Sequence, residues 1–174
     1  LDRMGKADNT LVVFASDHGT MGGAHGVDPW CKKFPYEESI RVPLVARFPG
    51  ALGAGERRDA LIAPVDLLPT LAALCGIRPP GAVEGYDLSQ TWLGRPGAFE
   101  QEAVLTMNFT GHPDLAIPPA DPRYRPHYKP WRGVRTKRHS YIRWVDGEEA
   151  LYDLAEDPFQ MNNLIRDSAM PPLA

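Results

Sequence analysis

Residues Leu11–Lys32, LVVFASDHGTMGGAHGVDPWCK, hold the stretch around which the rest of the chain is organised. An apolar run from Leu11 to Ala15 stops abruptly at Ser16-Asp17-His18-Gly19. Unbroken apolarity of that length predicts a strand buried on both faces of a parallel sheet, because a strand with one wet face alternates. Two metal-capable side chains, Asp17 and His18, then stand where the strand stops. In open α/β sheets ligands bind beyond the carboxyl ends of the strands. Adjacent residues on a continuing strand point to opposite faces, but where the backbone turns both can converge on one ion. Two ligands do not fill a metal shell, since Ca²⁺ takes about 6–8 oxygens and Zn²⁺ usually about four donors. A glycine-rich loop follows, then His25 and the pair Lys32 and Lys33. The stretch reads as one part of a metal-dependent, anion-cleaving site.

Working outward, Leu1–Lys6 resembles the tail of a helix closed by Gly5. Tyr36–Arg41 (YEESIR) predicts a short helix with Glu37 and Glu38 in its first turn and Arg41 set to pair with Glu37 at i,i+4. Pro43–Phe48 predicts a second strand, closed by Pro49-Gly50. Asp66–Leu74 (DLLPTLAAL) is the clearest helix, with Asp66 as N-cap, Pro69 in the first turn and an apolar face of Leu67, Leu68, Leu71 and Leu74. Strands alternating with helices at this spacing predict an α/β fold.

The character changes after about Gly97. Ala103–Met107 predicts a strand, and Asn108–Pro130 a proline-rich loop carrying His112, Tyr124, His127 and Tyr128, long enough to suit a substrate-lining role. Arg132–Arg135, Ser140–Val145 and Ala150–Leu154 predict antiparallel strands, and Phe159–Ile165 a short helix. The basic hairpin of Arg132, Arg135, Lys137 and Arg138 is either a solvated edge or a rim attracting an anionic substrate. The division expected is 1–96 as part of an α/β catalytic domain, with a parallel or mixed sheet and flanking helices, and 97–174 as a small antiparallel α+β subdomain.

At 174 residues, 43% hydrophobic and 24% charged, the chain has an ordinary globular composition. A net charge of -3 excludes a general nucleic-acid binder. No apolar run approaches the ~20 residues of a membrane helix. The two cysteines, Cys31 and Cys75, do not form a disulfide scaffold. The polar start carries neither a signal peptide nor an initiator methionine, which places the expected N-terminus upstream and leaves the compartment open.

Asp8-Asn9-Thr10-Leu11-Val12-Val13-Phe14, Ser16-Asp17-His18-Gly19, Gly23-Ala24-His25-Gly26 and Pro35-Tyr36-Glu37-Glu38-Ser39-Ile40-Arg41-Val42-Pro43-Leu44 together resemble the C-terminal half of sulfatases, in the alkaline phosphatase-like superfamily. The resemblance continues through Asp66-Leu67-Leu68-Pro69-Thr70-Leu71 to Leu151-Tyr152-Asp153-Leu154-Ala155-Glu156-Asp157-Pro158 and Asn163-Leu164, sparing only the Asn108–Pro130 loop. It implies hydrolysis of a small sulfate ester by a formylglycine nucleophile, made from a C/S-x-P-x-R motif, with a divalent cation. That cation is Ca²⁺ first, with Mn²⁺ or Zn²⁺ as alternatives. By motif position it implies that Asp17 and His18 are metal ligands, that Lys32 contacts the sulfate, and that His25 lies near the pocket mouth on the substrate side. The segment before Lys32 is longer than the family's, so Lys33 competes for the role. The nucleophile motif and the early acidic ligand pair are not in this chain: neither Cys31 nor Cys75 has the required proline and arginine spacing. The expected identity is therefore the C-terminal portion of a sulfatase, inactive alone, with the missing N-terminal portion of the same enzyme as its partner. Phosphonate monoester or phosphodiester hydrolysis, and a non-catalytic remnant, are the rival readings.

Overall fold

The structure is a computed structural model and describes residues 1–79, 81–109 and 129–166. In chain order the elements are β1 (Val12–Ala15), α1 (Glu37–Ile40), β2 (Leu44–Arg47), α2 (Pro64–Leu74), α3 (Ser89–Trp92), β3 (Ala103–Asn108), β4 (Trp131–Thr136), β5 (His139–Trp144) and β6 (Glu149–Asp153). The fold is mixed α/β with antiparallel sheets and few helices. It divides into two compact units, Leu1–Asp17 with Pro43–Val104, and His18–Val42 with Leu105–Ala174. Residues 110–128, which include His112, Tyr124, His127 and Tyr128 of the expected pocket loop, lie outside the described residues.

In the first unit, Asp2–Met4 forms a single 3-10 turn that Gly5 closes at φ 63, with its N–H donating to the Asp2 carbonyl. The strand β1 corrects one expectation. Its partner among the described residues is β2, and the two run antiparallel, with Val12 opposite Arg47 and Ala15 opposite Leu44. Phe14 is 65% exposed. An apolar run announces the capacity for burial on both faces; it does not state the direction of the neighbouring strand, which depends on distant residues.

The helix α2 begins two residues before the expected start, with Pro64 in the first turn, where a missing N–H costs nothing. Asp66 is therefore not the N-cap. It occupies the third helical position, and its Oδ2 accepts the Ala63 N–H at 2.7 Å. The same carboxylate accepts the Tyr86 N–H on Oδ1 and the Gln101 Nε2–H on Oδ2. Thr70, one turn on, accepts the Leu88 N–H on its hydroxyl. The buried side of α2 is thus partly polar, while Leu68 of the expected apolar face is exposed. Polar groups tolerate burial here because each has a hydrogen-bond partner.

The four-stranded sheet runs in the order β3-β4-β5-β6, with β4, β5 and β6 in the second unit. Trp131 lies opposite Trp144 across β4 and β5, and Ile142 opposite Ala150 across β5 and β6. These residues join Met21, Phe34, Tyr36 and Tyr152 in one apolar core. The expected helix over Phe159–Ile165 shortens to a 3-10 turn at Leu164–Arg166. Side chains intercept the backbone there: Asp157 accepts the N–H groups of Met161 and Asn162, and Asn163 accepts those of Leu151 and Ile165. Such local capture competes with helix formation. Among the described residues no helix is long and apolar enough to cross a membrane, and no disulfide joins Cys31 and Cys75.

Candidate functional site

Along the chain, Asp17 ends the first segment of one unit, and His18 and Gly19 begin the other. Asp17 is exposed and His18 half-buried. The glycine has a steric reason. Its N–H donates to the Ser39 carbonyl at 2.8 Å, and a Cβ at this position would fall 1.9 Å from the Glu38 carbonyl oxygen. No other residue fits between this turn and α1. The His18 Nδ1 lies 2.9 Å from the Gly19 carbonyl oxygen. A carbonyl only accepts, so Nδ1 is the donor in this contact. A backbone carbonyl holding one imidazole nitrogen while the other is basic is the arrangement found behind metal-binding histidines. A hard carboxylate beside such an imidazole fits a divalent cation as part of a shell. Among the described residues no three His, Cys, Asp or Glu side chains group to hold a metal ion.

The glycine loop then places His25. Gly22, Gly23 and Gly26 have positive φ, and His25 itself has φ 54, an uncommon value for a residue with a Cβ. Its ring stacks on Tyr36, with centroids 3.7 Å apart and planes within 10°. The His25 side chain is only 10% exposed, and Nε2 lies 3.8 Å from Glu38 Oε2. Neither atom finds a hydrogen-bond partner among the described residues. Burial pushes the imidazole below its ordinary value of 6.5, opposed by the nearby carboxylates of Glu38 and Asp157. His25 is therefore neutral at pH 7.

Lys32 is exposed and Lys33 half-buried, and their main chain is held firmly. The Ser39 hydroxyl donates to the Lys32 carbonyl at 2.5 Å. The Lys33 carbonyl accepts from Trp131 Nε1 at 2.8 Å and from Asn108 Nδ2 at 3.3 Å. Trp131 is buried core that anchors the lysine segment through its indole N–H.

The helix α1 supporting this segment is itself clasped. Arg135 makes a bidentate contact with Glu37, Nε to Oε1 at 2.8 Å and Nη2 to Oε2 at 3.2 Å. Gln160 Oε1 accepts the Glu37 N–H at 2.7 Å, covering an orphan donor at the start of the helix. The expected Arg41–Glu37 pair is present at 3.8 Å, but Arg135 is the closer partner. Sequence reasoning missed this clasp, because Glu37 and Arg135 are far apart in the chain and nothing local in either marks the pairing. Other members of the basic hairpin are also engaged: Arg138 with Asp153, and Arg132 over the Phe109 ring at 5.4 Å. The Arg138 guanidinium pulls the Asp153 carboxyl down from 3.8 to about 2.

These two shifts contribute to the pH dependence of folding, and Asp146, whose carboxyl Lys129 also holds below its ordinary value, adds to the acid side. His25 binds its proton more weakly when folded than unfolded, so stability falls as pH drops below 6.5. Asp153 holds its charge more strongly when folded, so its contribution is present above pH 3.8 and is lost towards about 2. Urea midpoints measured across pH should therefore fall in two steps. Asn tolerates positive φ, so His25→Asn should remove the upper step while keeping the loop, and Asp153→Asn should shrink the lower, which Asp146 shares. A pH profile that His25→Asn leaves unaltered would refute the assignment.

Comparison with known proteins extends this picture. The family model described as N-sulphoglucosamine sulphohydrolase, C-terminal, matches residues 23–174. An ulvan-active sulfatase of Formosa agariphila is 36% identical over 170 residues, covering 95% of this chain and 30% of the relative. A solved structure holding its substrate, D-glucosamine-2-N,6-O-disulfate, superposes with TM-score 0.79 at 30% identity, over 97% of this chain and 32% of its own. The phosphonate monoester hydrolase of Agrobacterium radiobacter superposes with TM-score 0.76 at 28% identity, over 97% of this chain and 33% of its own. The chain thus spans about a third of the length of the relatives it matches. With its anchored lysine pair and its four-stranded antiparallel sheet within residues 23–174, the chain belongs to the sulfatase family of the alkaline phosphatase-like superfamily, in that family's C-terminal region.

Proposed function

We propose that this chain is the C-terminal portion of a sulfatase that hydrolyses small sulfate esters, with a formylglycine nucleophile supplied by the rest of the enzyme. The observation that carries the reading is the lysine pair: a cationic segment whose carbonyls are held by Ser39, Trp131 and Asn108. A backbone held in this way limits where the lysine ammonium can reach, and an ammonium beside a transferring sulfuryl group neutralises its developing charge. Lys32 is the proposed catalytic and sulfate-binding residue, ahead of the half-buried Lys33. His25 is the second proposed substrate-side residue, neutral and with Nε2 lacking a hydrogen-bond partner among the described residues. Asp17 and His18 are proposed to hold the cation, Ca²⁺ first and Mn²⁺ or Zn²⁺ as alternatives. When bound, that cation supplies positive charge to the sulfate oxygens and the nucleophile.

Phosphonate monoester hydrolysis is the second reading, and the likeness to the Agrobacterium radiobacter enzyme favours it. Full-length protein assayed on a sulfate ester and on a phosphonate monoester should show the higher kcat/KM for the sulfate ester, with loss of turnover on chelation and recovery on adding calcium. The 174-residue chain alone should show no turnover above buffer. A faster phosphonate reaction would replace the first reading with the second, and turnover by the chain alone would overturn the assignment of a partial site.

A further inference from the structure

Two carboxylates act on the His25 imidazole, Glu38 of α1 and Asp157 beyond β6, and all three residues belong to the same unit of the fold. Asp157 is already engaged: its Oδ1 accepts the Met161 N–H at 3.0 Å and its Oδ2 the Asn162 N–H at 2.7 Å. Glu37, beside Glu38 in α1, has both oxygens on Arg135. Glu38 Oε2, by contrast, is sealed from solvent without a hydrogen-bond partner among the described residues, and so is His25 Nε2. Polar atoms are costly to leave in that state. These two stand 3.8 Å apart, too long for a hydrogen bond, and a closure of roughly 1 Å would satisfy both at once. Tyr36 holds the two groups to each other. Its ring stacks on the imidazole with centroids 3.7 Å apart, and its carbonyl accepts the Ile40 N–H at 3.0 Å, opening the helix that carries Glu38. Both atoms are sealed by this chain itself, so their surroundings do not depend on the rest of the enzyme.

We propose that Glu38 is a positioning residue: its carboxylate accepts a hydrogen bond from His25 Nε2 and leaves Nδ1 as a bare acceptor on the substrate side. The opposite tautomer sets the Nε2 lone pair against a carboxylate oxygen, and two acceptors repel. Hydrogen bonds that serve a reaction are often long before substrate binds and tighten afterwards, so 3.8 Å is a resting separation. A bare Nδ1 takes a hydrogen bond from a hydroxyl of the substrate. It takes none from a sulfate oxygen, which carries no proton at neutral pH, and the anion falls to Lys32. The inference rests on the reading of His25 as a substrate-side residue and deepens it, since it states which nitrogen meets the substrate and what fixes the ring.

The test uses full-length protein and two probes: D-glucosamine 6-sulfate, which carries hydroxyls, and inorganic sulfate, which carries none. His25→Asn, which tolerates the positive φ, and Glu38→Ala each lower kcat/KM for D-glucosamine 6-sulfate about tenfold. The double variant falls no further, because both changes remove the same contact. Glu38→Gln recovers part of the loss, since its amide oxygen still accepts from Nε2. The Kd of inorganic sulfate changes by less than about twofold in every variant. The nitrogen NMR spectrum of the imidazole at pH 7 shows Nε2 protonated and Nδ1 bare. A protonated Nδ1 with a bare Nε2 overturns the proposal. So do additive losses in the double variant, or full activity in Glu38→Ala while His25→Asn is impaired. Weaker binding of inorganic sulfate in His25→Asn makes the ring an anion contact and overturns the acceptor assignment. Unchanged kcat/KM in His25→Asn removes the substrate-side reading itself, and this inference with it.

Discussion

Replacing Lys32 with alanine in the full-length protein should lower kcat on a sulfate ester by about 10²–10³, the range found when one preorganised donor to a developing anion is removed. The same change at Lys33 should cost less than about fivefold. The difference follows from how the two residues are held. The Lys33 carbonyl takes donors from Trp131 and Asn108 and its side chain is half-buried, so this residue joins the segment to the sheet. Lys32 is exposed, and the Ser39 hydroxyl fixes its carbonyl. It combines an anchored backbone with a side chain that reaches solvent. Lys32→Arg should recover only part of the activity, because a planar fork does not replace a compact ammonium at a single oxygen. If Lys33→Ala shows the large loss and Lys32→Ala the small one, the longer loop before the lysines has shifted the register by one residue. If both losses are small, the anion contact lies elsewhere.

Much of this arrangement was legible in the sequence because it is local. The turn at Asp17-His18-Gly19, the short helix after Tyr36 and the antiparallel strands near the C-terminal end follow from apolar runs, glycines and proline positions within a few residues of each other. What was not legible depends on distance. The run Leu11–Ala15 could not name β2 as an antiparallel neighbour. Asp66 looked like an N-cap because short polar residues before a leucine run usually are. Its actual task, gathering N–H donors from Ala63, Tyr86 and Gln101, depends on segments up to Gln101. The predicted helix near Phe159 failed for a different reason. The residues there have adequate helix propensity, but Asp157 and Asn163 hold backbone N–H groups that a helix would need. At the candidate site the identities of Asp17, His18, His25 and Lys32 came from motif position, whereas the stacking of His25 on Tyr36 needed coordinates.

Replacing Arg135 with alanine should destabilise the protein by about 3 kcal/mol, the lower end of the range for breaking a buried ion pair. Both partners are largely withdrawn from water, at 15% and 13% side-chain exposure, so removing the guanidinium leaves the Glu37 carboxylate poorly solvated and without its bidentate donor. Arg41 does not compensate. It lies 3.8 Å from the same carboxylate but is 69% exposed, and its removal should cost less than about 0.5 kcal/mol. Glu37→Gln should cost less than Arg135→Ala, because a neutral amide tolerates burial better than an unpaired charge. Combining the two substitutions should recover about 1–2 kcal/mol of their summed losses, a coupling that a double-mutant cycle in urea would measure. Equal losses for Arg135→Ala and Arg41→Ala, or strict additivity with Glu37→Gln, would show that the clasp carries no energy. The pair also bears on catalysis through α1, since that helix carries Ser39, whose hydroxyl fixes the Lys32 carbonyl. Below its melting temperature, Arg135→Ala should therefore raise KM and lower kcat together, whereas Ser39→Ala should affect activity with a smaller loss of stability. The contrast separates a residue that holds the helix from one that holds the lysine.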